Sequence, residues 1–220
     1  MTHAAIHCQL LGERAVVLSS PPPATLACQR RIWWLADTLR AQGGFVDIVP
    51  AMNNLTVLLD PARHDAQAVQ QLLLTLWQQA GNAAPPQRRV DIPVRYGGEH
   101  GPDLAAVAAH CGLSPQEVIA RHSAARYTVF FLGFQPGFAY LGGLPPALAT
   151  PRRAEPRLTV PAGSVGIGGA QTGIYPAASP GGWQLIGHTD LTLFDPQREP
   201  PSLLLPGDRV RFQPLEHTHA

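Results

Sequence analysis

FLGFQPGFAYLGGLPPALATPRRAEPRLTVPAGSVGIGGAQTGIYPAASPGGW, residues 131 to 183, is the stretch on which the reading of this chain turns. Glycine and proline return every few residues, and large apolar and aromatic side chains stand between them. A disordered tract would lack those large apolar groups. A helix would not tolerate so much Gly and Pro. A compact, loop-rich β structure meets both constraints. Glycine permits positive φ and puts no Cβ between the backbone and a ligand or a neighbouring strand.

The flanks fit this reading. Tyr127–Leu132, YTVFFL, is apolar throughout and predicts a strand buried on both faces. Short strands are predicted near Leu158–Val160, Ser164–Ile167, Gly173–Tyr175, Gln184–Gly187, Leu191–Leu193 and Val210–Phe212. Many short strands between Gly/Pro turns argue for a closed or nearly closed β-barrel. Val90–Val94 predicts a further strand, with Pro93 marking an edge. Pro102 or Asp103 opens a helix whose apolar face is Leu104, Val107 and Ala108, and Gly112 stops it. Ser114-Pro115-Gln116-Glu117 has the form of a capping box and starts a second helix that runs to about His122.

Residues 1 to 88 read as a separate α+β domain. Ile6–Leu10 and Ala15–Leu18 flank Gly12 as a hairpin. Ala24–Arg40 carries apolar residues at helical spacing, with Pro21–Pro23 before it and Gly43-Gly44 after it. Phe45–Val49 and Leu55–Leu59 are strands around Asn53-Asn54, and Ala66–Gln79 is a second helix. Trp33, Trp34 and Trp77 stand at core spacing, and His64 reads as solvated surface. The polar connector Asn82–Arg89 places a domain boundary near residue 88, and the tail Glu216–Ala220 reads as frayed.

Composition narrows the function. Charged residues are only 14% of the 220, below the usual quarter or so. A face covered by a partner would account for this. Net charge is +1 without a basic block, so no phosphate-tracking surface for nucleic acid is expected. No apolar run approaches the roughly 20 residues of a membrane helix. The first residues lack the pattern of a signal peptide, so a cytoplasmic location and no membrane association are expected. Cys8, Cys28 and Cys111 are far apart and read as structural thiols.

Several chemistries are absent as motifs. There is no GxxxxGK[ST] phosphate loop, no HExxH and no GxSxG. The 16 Lys/Arg positions are all arginine, which removes lysine Schiff-base chemistry. No cluster marks a metal site, and none is expected. His122, at a helix end, reads either as a proton carrier or as a helix C-terminal cap. Gly133–Phe138, GFQPGF, reads either as a wall for a small polar substrate or as a structural turn. Pro161–Gly173 reads either as an anion site, using exposed amides with Ser164, Gln171 and Thr172, or as a tight barrel corner. Arg152, Arg153 and Arg157 are candidate anion partners or solvated loop residues.

GFQPGFAYLGGLP, PRLTVPAGSVGIGGAQTGIYP, SPGGWQLIGHT and LLPGDRVRF, with VRYGGEHGPDLAAVA upstream, resemble in order the signature stretches of one family. It is the 5-oxoprolinase B-subunit family, also called KipI-like or allophanate hydrolase subunit 1. The resemblance is strong over about residues 90–214 and in outline before that. It implies an α+β fold: a small N-terminal α/β sandwich (1–88), then a cyclophilin-like β-barrel with two helices (89–220). It implies a heteromeric, ATP-dependent 5-oxoprolinase that opens 5-oxo-L-proline to L-glutamate, with ATP and Mg²⁺ acting at the level of the complex. The implied partners are a KipA-like C subunit, with which the site is shared, together with a LamB/YcsF-like A subunit. The isolated chain is expected to be inactive. His122, in the family's HTS-like motif, here HSA, is the implied catalytic residue. The implied substrate-binding residues are Phe134, Gln135, Gly137, Phe138, Ser164, Gln171, Thr172 and His188. Gln135, Ala139 and His188 stand where the family has Thr, Pro and Arg. The alternatives within the family are a KipI-like inhibitor of a sensor histidine kinase and a urea- or allophanate-handling, carboxyltransferase-like subunit.

Overall fold

The computed structural model describes residues 6–81 and 88–215. Most of the predicted connector and the tail Glu216–Ala220 lie outside the described residues. The chain divides into two compact units, Met1–Pro85 and Pro86–Ala220.

The first unit runs β1 (His7–Leu11), β2 (Ala15–Ser19), α1 (Leu26–Gln42), β3 (Asp47–Ala51), β4 (Asn54–Leu58) and α2 (Ala66–Gln79). Its antiparallel sheet has the order β1-β2-β4-β3. Thr25 caps α1 by accepting from the Cys28 amide, and Asp65 caps α2 by accepting from Gln67. Ile32, Leu35 and Leu39 of α1 and Leu73 and Trp77 of α2 pack with Leu18, Leu55 and Val57 of the sheet. Trp33 and Trp77 are buried, and Trp34 packs at the margin of the core. His64 is not the solvated residue expected: its ring stacks on Phe45 at 5.0 Å and 20°. The cysteines are half-buried and unbridged. Burial pushes the Cys8 thiol up to about 11, which leaves it protonated and unreactive near neutrality.

The second unit follows as β5 (Arg89–Tyr96), α3 (Leu104–Cys111), α4 (Pro115–Ala124), β6 (Tyr127–Leu132), β7 (Ala139–Gly142), β8 (Arg157–Val160), β9 (Ser164–Gly168), β10 (Gln171–Ile174), β11 (Ser179–Gly181), β12 (Gln184–His188) and β13 (Arg209–Pro214). Seven strands close a barrel in the order β10-β7-β6-β13-β5-β12-β9, sealed by the β9–β10 hairpin. The ends of the unit meet as the parallel pair β5–β13. The pair β8–β11 stands outside the barrel as a two-stranded sheet. The Ser114–Glu117 capping box is present in full at α4. Gly112, at φ 65°, ends α3 in the left-handed region.

Three expectations are corrected. Pro93 is not on an edge strand, because β5 pairs on both sides. The ladder with β12 reaches only Arg95 and Tyr96, so the missing proline N–H costs no bond there. Leu191–Leu193 forms no strand; Phe194 makes only an isolated bridge with Ser202. Ala139–Gly142, absent from the predicted strands, is β7, a barrel strand paired with β6 and β10.

Candidate functional site

The barrel interior holds a polar chain in an apolar setting. His122, at the end of α4, has no exposed surface. Its Nδ1 lies 2.7 Å from the Tyr96 hydroxyl and its Nε2 lies 2.9 Å from Thr172 Oγ1. Thr172 Oγ1 donates its one proton to the Gly166 carbonyl at 2.9 Å. The polarity of the chain follows from that bond. His122 Nε2–H donates to Thr172, and Nδ1 accepts from Tyr96. Phe212 lies against the imidazole, ring centres 4.5 Å apart, and the Tyr127 hydroxyl donates to the His122 carbonyl. Burial pushes His122 down to about 3, so the ring is neutral at pH 7. Both ring nitrogens are engaged with side chains, so the ring does not cap the carbonyls of α4.

The Pro161–Gly173 stretch builds the β9–β10 corner. Three of its loop amides are taken up within the fold. Gly163 donates to the Tyr175 carbonyl, Ser164 to Pro161 and Gly169 to Thr150. Ser164 is buried at the start of β9, and Gln171 is half-buried at the start of β10. The glycines serve a large ring instead. A Cβ on Gly168 would stand 2.5 Å from Trp183, and one on Gly173 would stand 3.2 Å from the same indole.

Trp183 is one wall of an aromatic pocket of about 100 Å³, lined also by Phe134, Phe138, Tyr140, Tyr175 and Arg152. Phe138 meets Tyr175 at 5.4 Å and 83° and Trp183 at 5.5 Å and 82°, edge to face. Phe134 stands at the rim, 61% exposed, with its backbone at φ 68°. A non-glycine residue held in the left-handed region is strained by about 1–3 kcal/mol. Gln135, beside it, donates to the Ala177 carbonyl at 3.3 Å. Gly137, at φ 82°, lets the turn approach Phe194, whose Cβ would lie 2.7 Å from an added Cβ.

The three candidate arginines part company. Arg157 makes a two-pronged pair with Asp103 at 2.8 and 2.9 Å, and Arg153 reaches the same carboxylate at 3.3 Å. The Leu185 amide donates to Asp103 at 2.7 Å. Burial alone would raise the Asp103 carboxyl, but Arg157, the Leu185 amide and Arg153 outweigh it and hold it below its usual value. Arg152 is exposed at the pocket, and among the described residues it forms no ion pair.

His188 belongs to neither cluster. Its Nε2–H donates to the Ala162 carbonyl at 2.9 Å, Asp190 lies 3.6 Å from Nδ1, and the His100 ring lies 5.9 Å away. Asp190 is paired to Arg95 at 2.6 Å. The implied site residues therefore separate into an interior set (His122, Ser164, Thr172), a pocket set (Phe134 and Phe138, with Gln135 and Gly137 in the same turn) and His188 at the end of β12, with Gln171 opposite Gly168. Sequence reasoning missed Tyr96, Tyr140, Tyr175, Trp183 and Asp103. The recurrence of small residues beside large rings was a signal for the aromatic ones. Asp103 gave none, because its arginines lie 50 and 54 positions away. Among the described residues no group of three or more His, Cys, Asp or Glu is gathered as a metal ion would require, and no helix is long and apolar enough to cross a membrane.

Comparison with known proteins gives these features a setting. The carboxyltransferase domain family, subdomain C and D, matches residues 6–204. The chain is 59% identical over 207 residues to the 5-oxoprolinase B subunit of Escherichia coli O157:H7, covering 94% of this chain and 95% of that one. Among solved structures, TTHA0988 superposes with a TM-score of 0.79 at 42% identity, covering 94% of this chain. The chain spans only 41% of the length of TTHA0988. The urea amidolyase of K. lactis superposes at 0.81 over 96% of this chain and 15% of its own, at 21% identity, which speaks for the fold alone. With the carboxyltransferase-type barrel and near-full-length identity to a known B subunit both in hand, this chain belongs to the 5-oxoprolinase B-subunit family.

Proposed function

We propose that this chain is the B subunit of an ATP-dependent 5-oxoprolinase. It contributes part of a site shared with a C subunit, and it works together with an A subunit. The reading is carried by the 59% identity, over almost the whole of both chains, to the 5-oxoprolinase B subunit of Escherichia coli O157:H7. The solved chain of more than twice this length supports a partner, since it joins a unit of this kind to further sequence.

The chemistry explains the need for partners. A lactam amide resists hydrolysis, so its carbonyl must be activated. Phosphoryl transfer from ATP to the carbonyl oxygen makes the ring carbon electrophilic. Water adds there, the C–N bond breaks with the nitrogen taking a proton, and a second water releases phosphate. The products are glutamate, ADP and phosphate. ATP and Mg²⁺ enter at the level of the complex, since this chain carries neither a phosphate loop nor a lysine. Its own contribution is to hold the substrate and keep bulk water away. His122 acts within this reading as a neutral hydrogen-bonding group that positions β10 through Thr172.

The test is glutamate release from 5-oxoproline with ATP and Mg²⁺, using this chain alone, the A and C subunits alone, and all three together. Turnover only in the full mixture is expected. A verified, assembled complex without turnover would remove the 5-oxoprolinase reading.

A further inference from the structure

The aromatic pocket combines four properties. Its walls are five rings, Phe134, Phe138, Tyr140, Tyr175 and Trp183. They brace one another, mostly edge to face, with Phe138 and Tyr140 tilted at 56°. Its volume of about 100 Å³ lies well below the roughly 300–1,000 Å³ of drug-sized sites and is on the scale of one small ring. Its single formal charge is Arg152, whose guanidinium acts electrostatically on the Tyr140 and Tyr175 phenols.

The arginine is also placed. The neighbouring Arg153 donates its backbone amide to the Gly182 carbonyl at 2.8 Å and its side chain to Asp103. Arg157 grips Asp103 with two bonds. The segment bearing Arg152 is thus fastened on its C-terminal side, while Arg152 keeps its own donors free of any carboxylate among the described residues. A planar fork carried on a fastened segment and without an ion-pair partner among the described residues is suited to an external carboxylate. At the rim, the strained Phe134 holds its ring partly in solvent, where a seated ligand would cover it.

We propose that this pocket seats a small cyclic amide acid, with the ring between the aromatic walls and the carboxylate on Arg152. Under the 5-oxoprolinase reading, on which the identity of the ligand rests, it is 5-oxoproline. The carboxylate end is anchored here, and the lactam carbonyl is left toward the mouth, within reach of a partner protein. Asp103 is a positioning residue for this anchor.

The experiment uses the assembled complex with the A and C subunits. Arg152→Ala is expected to raise KM for 5-oxoproline about tenfold or more with kcat changed by no more than about threefold, and Arg152→Lys to fall between. In the same complex, Trp183 fluorescence is titrated with 5-oxoproline and with uncharged pyrrolidin-2-one, Trp183→Phe being the control for the other tryptophans. A response to the acid that is lost in Arg152→Ala, with a much weaker response to the uncharged lactam, supports the pocket. A KM within about twofold of wild type together with an unchanged titration overturns it while leaving the 5-oxoprolinase reading standing. A complex that does not turn over but shows the Arg152-dependent response overturns the reaction and keeps the ligand class. Neither turnover nor response overturns both.

Discussion

The interior around His122 and the pocket around Trp183 belong to one unit and share the β9–β10 corner, yet they treat polarity in opposite ways. Inside, every polar atom of the His122 chain has a partner, from Tyr96 through the imidazole and Thr172 to the Gly166 carbonyl. Such a closed network gives rigidity and a single arrangement, at the cost of dehydrating an imidazole. At the pocket, the rings pack on one another and the charge of Arg152 has no ion-pair partner among the described residues. The first arrangement holds the barrel together; the second, on the proposal above, receives a ligand. A buried histidine next to a named motif draws attention in the sequence, but an open charge on an aromatic wall is the better mark of recognition.

The sharpest way to break this contrast is through Asp103, which fastens the segment carrying the pocket arginine. Asp103→Ala leaves Arg153, Arg157 and the Leu185 amide without their acceptor. We expect a loss of about 3 kcal/mol, a Tm lower by roughly 6–12 °C, and weakened 5-oxoproline binding, measured by thermal denaturation and ligand titration. Because the folded carboxyl titrates below its usual value, its stabilisation is present above that value and fades as pH falls through the folded pKa. The acid limb of the stability profile should flatten accordingly in Asp103→Asn.

The next effect belongs to the interior. His122 is held neutral down to about pH 3, whereas in the unfolded chain it takes up a proton near its ordinary 6.5. Stability is therefore lost as pH falls from about 6.5 toward 3, by at most about 1.4 kcal/mol per pH unit. Denaturant titrations at a series of pH values should show that slope in wild type and lose it in His122→Gln. An unchanged slope would show that the interior histidine is not the closed, neutral group described above.

Gly168→Ala sets the two regions against each other directly, since its Cβ would lie 2.5 Å from the Trp183 ring on the strand that also borders the interior network. A cost of about 1–3 kcal/mol is expected, with the indole displaced and Trp183 emission shifted. The smallest effect is reserved for the rim. Phe134→Gly should change stability by less than about 1 kcal/mol, since relief of the left-handed backbone offsets the lost ring contact. Ligand affinity should still fall, which would separate a recognition residue from a structural one.

Much of the local structure was legible because its causes are local. The Ser114–Glu117 box lies beside the helix it starts, and Gly112 follows the helix it ends; the caps Thr25 and Asp65 are equally local but were not read from the sequence. The hairpin around Gly12 and the strand Tyr127–Leu132 follow from turn chemistry and apolar runs. Leu191–Leu193 misled because an apolar run predicts burial, and burial is what Leu193 has: 1% of its surface is exposed, without a strand ladder. Ala139–Gly142 was hidden in the opposite way. Its two flanking glycine-rich turns read as loop, while its strand character comes from β6 and β10 on either side.

The amino-acid sequence alone determined the α+β composition, the approximate places of the helices and the signature stretches of the family, since these rest on neighbours along the chain. Only the tertiary structure decided what those stretches pack and pair with. It joined β5 to β13 across the length of the unit, set His122 between Tyr96 and Thr172, and laid glycines beneath Trp183. It also tied Arg153 and Arg157 to Asp103 while leaving Arg152 open to the pocket. The physical reason is that pairing, burial and the balance of charges depend on distance in space, and closing the barrel brings together residues that the chain holds far apart.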